Sequence, residues 1–172
     1  MEEPLIRPLR EGDAEALLRF YQGLSPETVR FYEPYSNMSL ETMEDVVRQA
    51  VSGRDFARVL VASSGDIVGH AFLGNIGAAE PSLGIGIAEP WQNRGYGRRL
   101  LAQALAEADA RPGVQAVILT VNKQNLRARK MYQEFGFVVC GECDHREPSD
   151  SFRMRRMRAG ASVAQPGCSG GK

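Results

Sequence analysis

Apolar positions along this chain follow two rhythms, and each change of rhythm marks a change of element. Short continuous or alternating apolar runs read as strands; apolar residues three and four apart read as helices. "LIRPL", residues 5–9, is the first expected strand. Asp13 is placed to cap a helix reaching Gln22, with Leu17, Leu18 and Tyr21 as its apolar stripe. Ser25 is the next N-cap, with Pro26 at the first helical position and Thr28 at the third. An aromatic loop follows, and then a helix over residues 40–50 that ends near Ser52 and Gly53. Residues 56–63 and 67–76 read as strands joined by the "SGD" turn, and residues 82–90 as a strand stopped by proline. Then come a helix over 95–110, a buried strand over 114–121, a helix over 125–135 with Gly136 as its left-handed cap, and two closing strands, 136–142 and 151–157.

This order predicts one α/β domain built on a single mixed sheet. At 172 residues the chain can bury a core of its own. Residues 1–158 are assigned to that domain, and residues 159–172, small, polar and glycine-rich, to a flexible tail. Lys and Arg total 21, as do Asp and Glu, so bulk charge argues against general binding to nucleic acid or a membrane. No apolar run is long enough to span a bilayer, and the N-terminus lacks a secretory pattern. Three cysteines, an odd number, imply no disulfide framework. The expected setting is reduced and cytoplasmic.

The chemistry concentrates in "EPWQNRGYGRRLLAQALAEADA", residues 89–110. A helix start carries partial positive charge and unpaired N–H groups. Arg98 and Arg99 in its first turn worsen that by a few tenths to about 1 kcal/mol. A bound anion reverses the sign, and Gly95 and Gly97 remove side chains that would keep it at a distance. The turn therefore suits a phosphate ligand, with a plain glycine loop and solvated arginines as the alternative. A P-loop needs GxxxxGK[ST], and a dinucleotide fold needs GxGxxG followed by an acid; neither pattern is present.

"QNRGYG", residues 92–97, matches the Q/R-x-x-G-x-G/A motif of the GCN5-related N-acetyltransferase (GNAT) family. "VILTVNKQNLRARKMYQEFGF" resembles the family's fifth strand and fourth helix, with Asn125, Ala128, Tyr132, Gly136 and Phe137 on its N-x-x-A-x-x-x-Y-x-x-x-G-F pattern. The order of elements over residues 5–157 is similar as well. The resemblance implies a mostly antiparallel sheet whose fourth and fifth strands splay apart around acetyl-CoA. It implies an N-acetyltransferase acting on a primary amine by direct attack. The alternative from another class is a non-catalytic module that senses CoA or acyl-CoA.

Carried over residue by residue, the resemblance assigns Ile87 and Ala88 to the pantetheine arm, with Glu89 and Pro90 at the exit. It assigns Gln92, Arg94, Gly95, Tyr96, Gly97, Arg98 and Arg99 to the diphosphate, and Asn125 to the CoA arm. Tyr132 would protonate the departing thiolate: an ordinary phenol near pKa 10 can donate to a thiolate whose acid is near 8.5. Lys123, Arg127, Arg129 and Lys130 read mainly as a solvated basic face. The base is less defined. Family members place a glutamate where Ser82 stands here, or where Thr120 stands. Glu80, two residues before Ser82, is the catalytic candidate carried forward, with Ser82, Thr120 and Glu33 also open.

Glu33 and Tyr35, in the aromatic loop, are the candidate contacts to the acceptor amine, since acidic and aromatic groups together suit a cation. His70 reads as a packed histidine on an inward face, between Val68 and Phe72 at period two. Cys140, Cys143 and His145 lack a fourth ligand, so no metal is expected. The implied partners are acetyl-CoA and an amine, and the family also admits a homodimer.

Overall fold

The computed structural model describes residues 3–142 and 150–160. Among the described residues seven strands form one sheet in the order β1-β2-β3-β4-β5-β7-β6. They are β1 (Leu5–Pro8), β2 (Phe56–Val61), β3 (Ile67–Gly74), β4 (Ser82–Ile87), β5 (Ala116–Asn122), β6 (Val138–Glu142) and β7 (Ser151–Met157). The helices are α1 (Ala14–Gln22), α2 (Pro26–Phe31), α3 (Leu40–Val51), α4 (Tyr96–Asp109) and α5 (Leu126–Glu134). Residues 143–149, with Cys143 and His145, and nearly all of the expected tail lie outside the described residues.

Strand alternation sorts side chains onto two faces. Ala57 and Val59 of β2 pack with Leu17, Phe20 and Tyr21 of α1 and Met43 and Val47 of α3. Leu60, on the other face of β2, packs with Ala71 and with Leu100 of α4. Further along α4, Leu101, Ala104, Leu105 and Ala108 pack against Leu73, Leu83 and Val117 of the sheet. The apolar residues of α4, spaced three and four apart, thus form the face it buries.

Several expected boundaries move for local reasons. Asp13 precedes α1, but its carboxylate accepts from the Arg7 guanidinium, at 2.6 and 2.9 Å, and from the Arg10 N–H at 2.9 Å. That ion pair ties β1 to the start of α1 in place of a side-chain cap. Ser25 does cap α2, its hydroxyl accepting from the Thr28 N–H at 3.2 Å. β4 ends at Ile87 rather than running to Pro90, because Glu89–Trp91 turn as a 3₁₀ helix with the proline inside it.

Among the described residues β4 and β5 form the one parallel pair, and their register holds at Ser82↔Ile118 alone. The Ile118 N–H donates to the Pro81 carbonyl at 3.1 Å. Beyond that point no further register pair joins the two strands, and the cleft that the site occupies lies between the end of β4, the start of α4 and α5.

Candidate active site

β4 faces the cleft with its backbone. Its pairing with β3 is antiparallel, and the Ala88 N–H donates to the Val68 carbonyl at 2.9 Å. Backbone groups alternate in direction along such a strand. Gly84, Gly86 and Ala88 therefore point their N–H and C=O groups at β3, and Ile85 and Ile87 point theirs at the gap. The Ile87 carbonyl accepts from the Gln92 side chain at 2.8 Å. The Ala88 carbonyl accepts from the Trp91 N–H at 2.9 Å. Of the two residues expected at the pantetheine arm, Ala88 has both backbone groups bonded inside the protein, while Ile87 lines the cleft, as does Ile85. The period-two rule applied to Ile87 would have named Ile85.

The glycines of β4 answer to the side chains above them. A Cβ on Gly84 would fall 2.4 Å from the Phe72 ring, and one on Gly86 only 2.1 Å from the Tyr32 ring. The alternating "LGIGI" thus buries Leu83 and Ile87 towards α4 and lets Phe72 and Tyr32 lie on the opposite face.

α4 begins at the mouth of the cleft. Its N-cap, Gly95, has φ +83°, in the left-handed region that glycine adopts without strain. The Arg99 N–H makes the helix's first bond, to the Gly95 carbonyl at 3.1 Å. The N–H groups of Tyr96, Gly97 and Arg98 precede it and have no acceptor earlier in the helix. A Cβ on Gly97 would meet only Met131 Sδ, at 3.8 Å, an ordinary contact. Protein packing does not require glycine there.

The cleft has a volume of about 750 Å³. Gln92, Gly95, Tyr96, Gly97 and Arg98 line it, with Asn125 and Tyr132 opposite and Ile85, Ile87 and Tyr32 along the β4 side. Other predicted residues lie elsewhere. Arg94 stacks over the Trp91 ring at 5.6 Å, Arg99 pairs with Glu3, and neither lines the cleft. Arg98 lines it while paired with Glu134. Glu80 is ion-paired to Arg155, 2.6 Å away, and is outside the cleft lining, as are Ser82, Thr120, Glu33 and Tyr35. Tyr35 stacks on Phe72 instead. Arg127, read as solvated, reaches across the cleft to donate to Asn93 at 2.8 Å.

Tyr132 is buried, and burial pushes its phenol up to about 12. It is therefore a neutral donor throughout the physiological range, and a weaker acid than an ordinary tyrosine. Asn125 caps α5, its side-chain oxygen accepting from the Ala128 N–H at 3.1 Å. Seven residues apart, the two stand on one face of the helix. α2 closes one end of the cleft: Ser25 and Thr28 donate to the Glu89 carboxylate, and Arg30 donates to Gln124. Desolvation pushes Glu89 up, but the hydrogen bonds from Ser25 and Thr28, with those from backbone N–H groups, together outweigh it and hold the carboxylate below its usual range. No short sequence pattern announces this latch, because its partners are more than sixty residues apart.

The model of the acetyltransferase (GNAT) family matches residues 18–137, most of the chain. This chain belongs to that family. An L-amino acid N-acetyltransferase from Escherichia coli K12 is 29% identical over 150 residues, covering 82% of this chain and 86% of the relative. The fold is shared with a ribosomal-protein-S5-alanine acetyltransferase from Vibrio fischeri, at TM-score 0.78, 16% identity and coverage of 95% and 97%. It is also shared with a Vibrio cholerae spermidine N-acetyltransferase in complex with CoA and spermine, at TM-score 0.70, 21% identity and coverage of 91% and 96%. The activity of this GNAT chain is acetyl-CoA-dependent acetyl transfer to an amine. Among its described residues no helix is long and apolar enough to cross a membrane.

Proposed function

We propose that this GNAT chain holds acetyl-CoA between β4, α4 and α5 and acetylates a small primary amine that enters from the α2 side. The observation that carries the reading is the start of α4: three N–H groups without earlier acceptors, a glycine that packing does not demand, and no acid in the first turn. Those features fit a diphosphate. Acetyl-CoA supplies an acetyl group already activated as a thioester. Tyr96, Gly97 and Arg98 bind the diphosphate through their backbone, and the Arg98 guanidinium adds charge.

The remaining steps belong to the protein's own groups. The outward N–H groups of Ile85 and Ile87 orient the pantetheine arm and aim a donor at the carbonyl under attack. The Asn125 side chain fixes the start of α5, and with it the Tyr132 phenol one helix face further on. Tyr132 keeps its proton until sulfur develops negative charge, and then shares or transfers it. Burial raises a thiolate's proton affinity in the same cleft, so the mismatch with a phenol near 12 is smaller than in water.

The E. coli relative makes free L-amino acids the first acceptors to test, ahead of polyamines and N-terminal peptides. The experiment is thiol release from acetyl-CoA across a panel of those three classes. Release with one class supports the reading and names the acceptor chemistry. CoA binding without release from any member overturns it.

A further inference from the structure

A buried polar chain leads from the sheet to the acceptor side of the cleft and has no part in the steps above. His70 of β3 is fully buried. Its Nδ1 lies 2.8 Å from the Tyr21 hydroxyl, which lies 3.1 Å from the Tyr32 hydroxyl. Among the described residues, His70 Nε2 finds no hydrogen-bond partner. Tyr32 lines the cleft, its ring seated over Gly86, and it lies near enough to Tyr132 for negative charge on one phenol to disfavour ionisation of the other.

The chemistry of the three groups sets the direction of this chain. A phenol O–H is a good donor and a phenol oxygen a poor acceptor; an imidazole nitrogen with a free lone pair is a good acceptor. The stronger arrangement therefore has Tyr21 donating to Nδ1, with the single ring proton on Nε2. Tyr32 then donates to the Tyr21 oxygen, whose second lone pair faces Tyr35, and its own oxygen is left with lone pairs for the cleft. The reverse tautomer would turn every bond around, so that Tyr32 accepts from Tyr21 and presents its O–H to the cleft as a donor. Burial holds the imidazole down at about 3, so it stays neutral and the direction is kept at working pH.

We propose that Tyr32 accepts an N–H from the attacking amine, and that Tyr21 and His70 are positioning residues that keep its oxygen presented as an acceptor. With one N–H held on Tyr32, the nitrogen lone pair is turned towards the β4 edge, where the thioester carbonyl is bound in the proposed function on which this assignment rests. Donors to the carbonyl and sulfur come from β4 and Tyr132; the acceptor comes from the opposite face of the sheet.

The test is a cycle of Tyr32→Phe, Tyr21→Phe and the double variant, assayed with whichever amine of the panel has the highest wild-type kcat/KM. Tyr32→Phe removes one hydroxyl from a partly exposed ring and should fold. It is expected to lower kcat/KM for the amine about tenfold and leave KM for acetyl-CoA within about twofold. Tyr21→Phe should cost severalfold alone and nothing further in the Tyr32→Phe background, because Tyr21 acts only through Tyr32. His70→Asn, which keeps an oxygen acceptor near Nδ1, should exceed His70→Leu in turnover; the tyrosine cycle decides the matter if the histidine variants do not fold. Unchanged kinetics in Tyr32→Phe, or losses that multiply in the double variant, overturn the assignment. An inert wild type overturns the proposed activity itself, and is seen before any variant is made.

Discussion

At the residue scale, His70 is a buried group whose charge state is coupled to folding. Burial takes it from an ordinary 6.5 to about 3, so the folded protein binds fewer protons than the unfolded chain between those values. The sign follows: this contribution is fully present above 6.5 and is lost as pH falls towards 3. The slope is at most about 1.4 kcal/mol per pH unit. Wild type should therefore lose roughly 2 kcal/mol more than His70→Asn between pH 6.5 and 5, read from urea midpoints. Parallel losses in the two proteins would mean that His70 is not held neutral. Tyr132 carries the second prediction at this scale. Tyr132→Phe should lower kcat on the order of 10²-fold, the usual contribution of a general acid, with CoA affinity unchanged by calorimetry. Unchanged turnover would remove the phenol from the reaction.

At the scale of elements, the start of α4 separates a ligand's demands from those of packing. Gly97→Ala adds a methyl into space, with Met131 Sδ at 3.8 Å as its nearest contact. The fold should be as stable or gain up to about 1 kcal/mol of helix propensity. Affinity for CoA should nevertheless fall about tenfold or more, since the methyl stands where a diphosphate approaches the N–H groups. Equal affinity would place the diphosphate elsewhere. α4 and α5 were the most legible parts of the chain, because a capping glycine, a helical stripe and a spaced Asn125–Tyr132 pair are local patterns. The sheet's composition was legible too. Ile85 was hidden only until the alternation of β4 was applied to it. What sequence could not give is cross-chain pairing. Glu80 looked like a base from its spacing to Ser82, and only the β7 register brings Arg155 against it. Tyr21, Tyr32 and His70 come from three elements, and nothing in their spacing predicts a hydrogen bond between them.

At the scale of the whole molecule, the sheet is two ladders joined at a single register pair, Ser82↔Ile118, with no further pair beyond it among the described residues. α4 spans the joint, packing Leu101 and Leu105 with both Leu83 and Val117. α2 spans it on the other side, through Glu89 at one lip and Gln124 at the other. A ligand that fills the cleft would bond to both ladders and bind only the folded chain, so CoA at a hundred times its Kd should add about 2.7 kcal/mol of stability. For a chain of this size that raises Tm by roughly 5–10 °C. The position of the ligand is read more sharply by amide exchange. In the free protein the Gly84, Gly86 and Ala88 amides face β3 and should be protected, while Ile85 and Ile87 face the gap and should exchange fast. Adding CoA should slow Ile85 and Ile87 and leave their even-numbered neighbours unchanged. Uniform slowing along β4 would indicate general tightening of the sheet, and no slowing would mean that the pantetheine arm does not run along this edge.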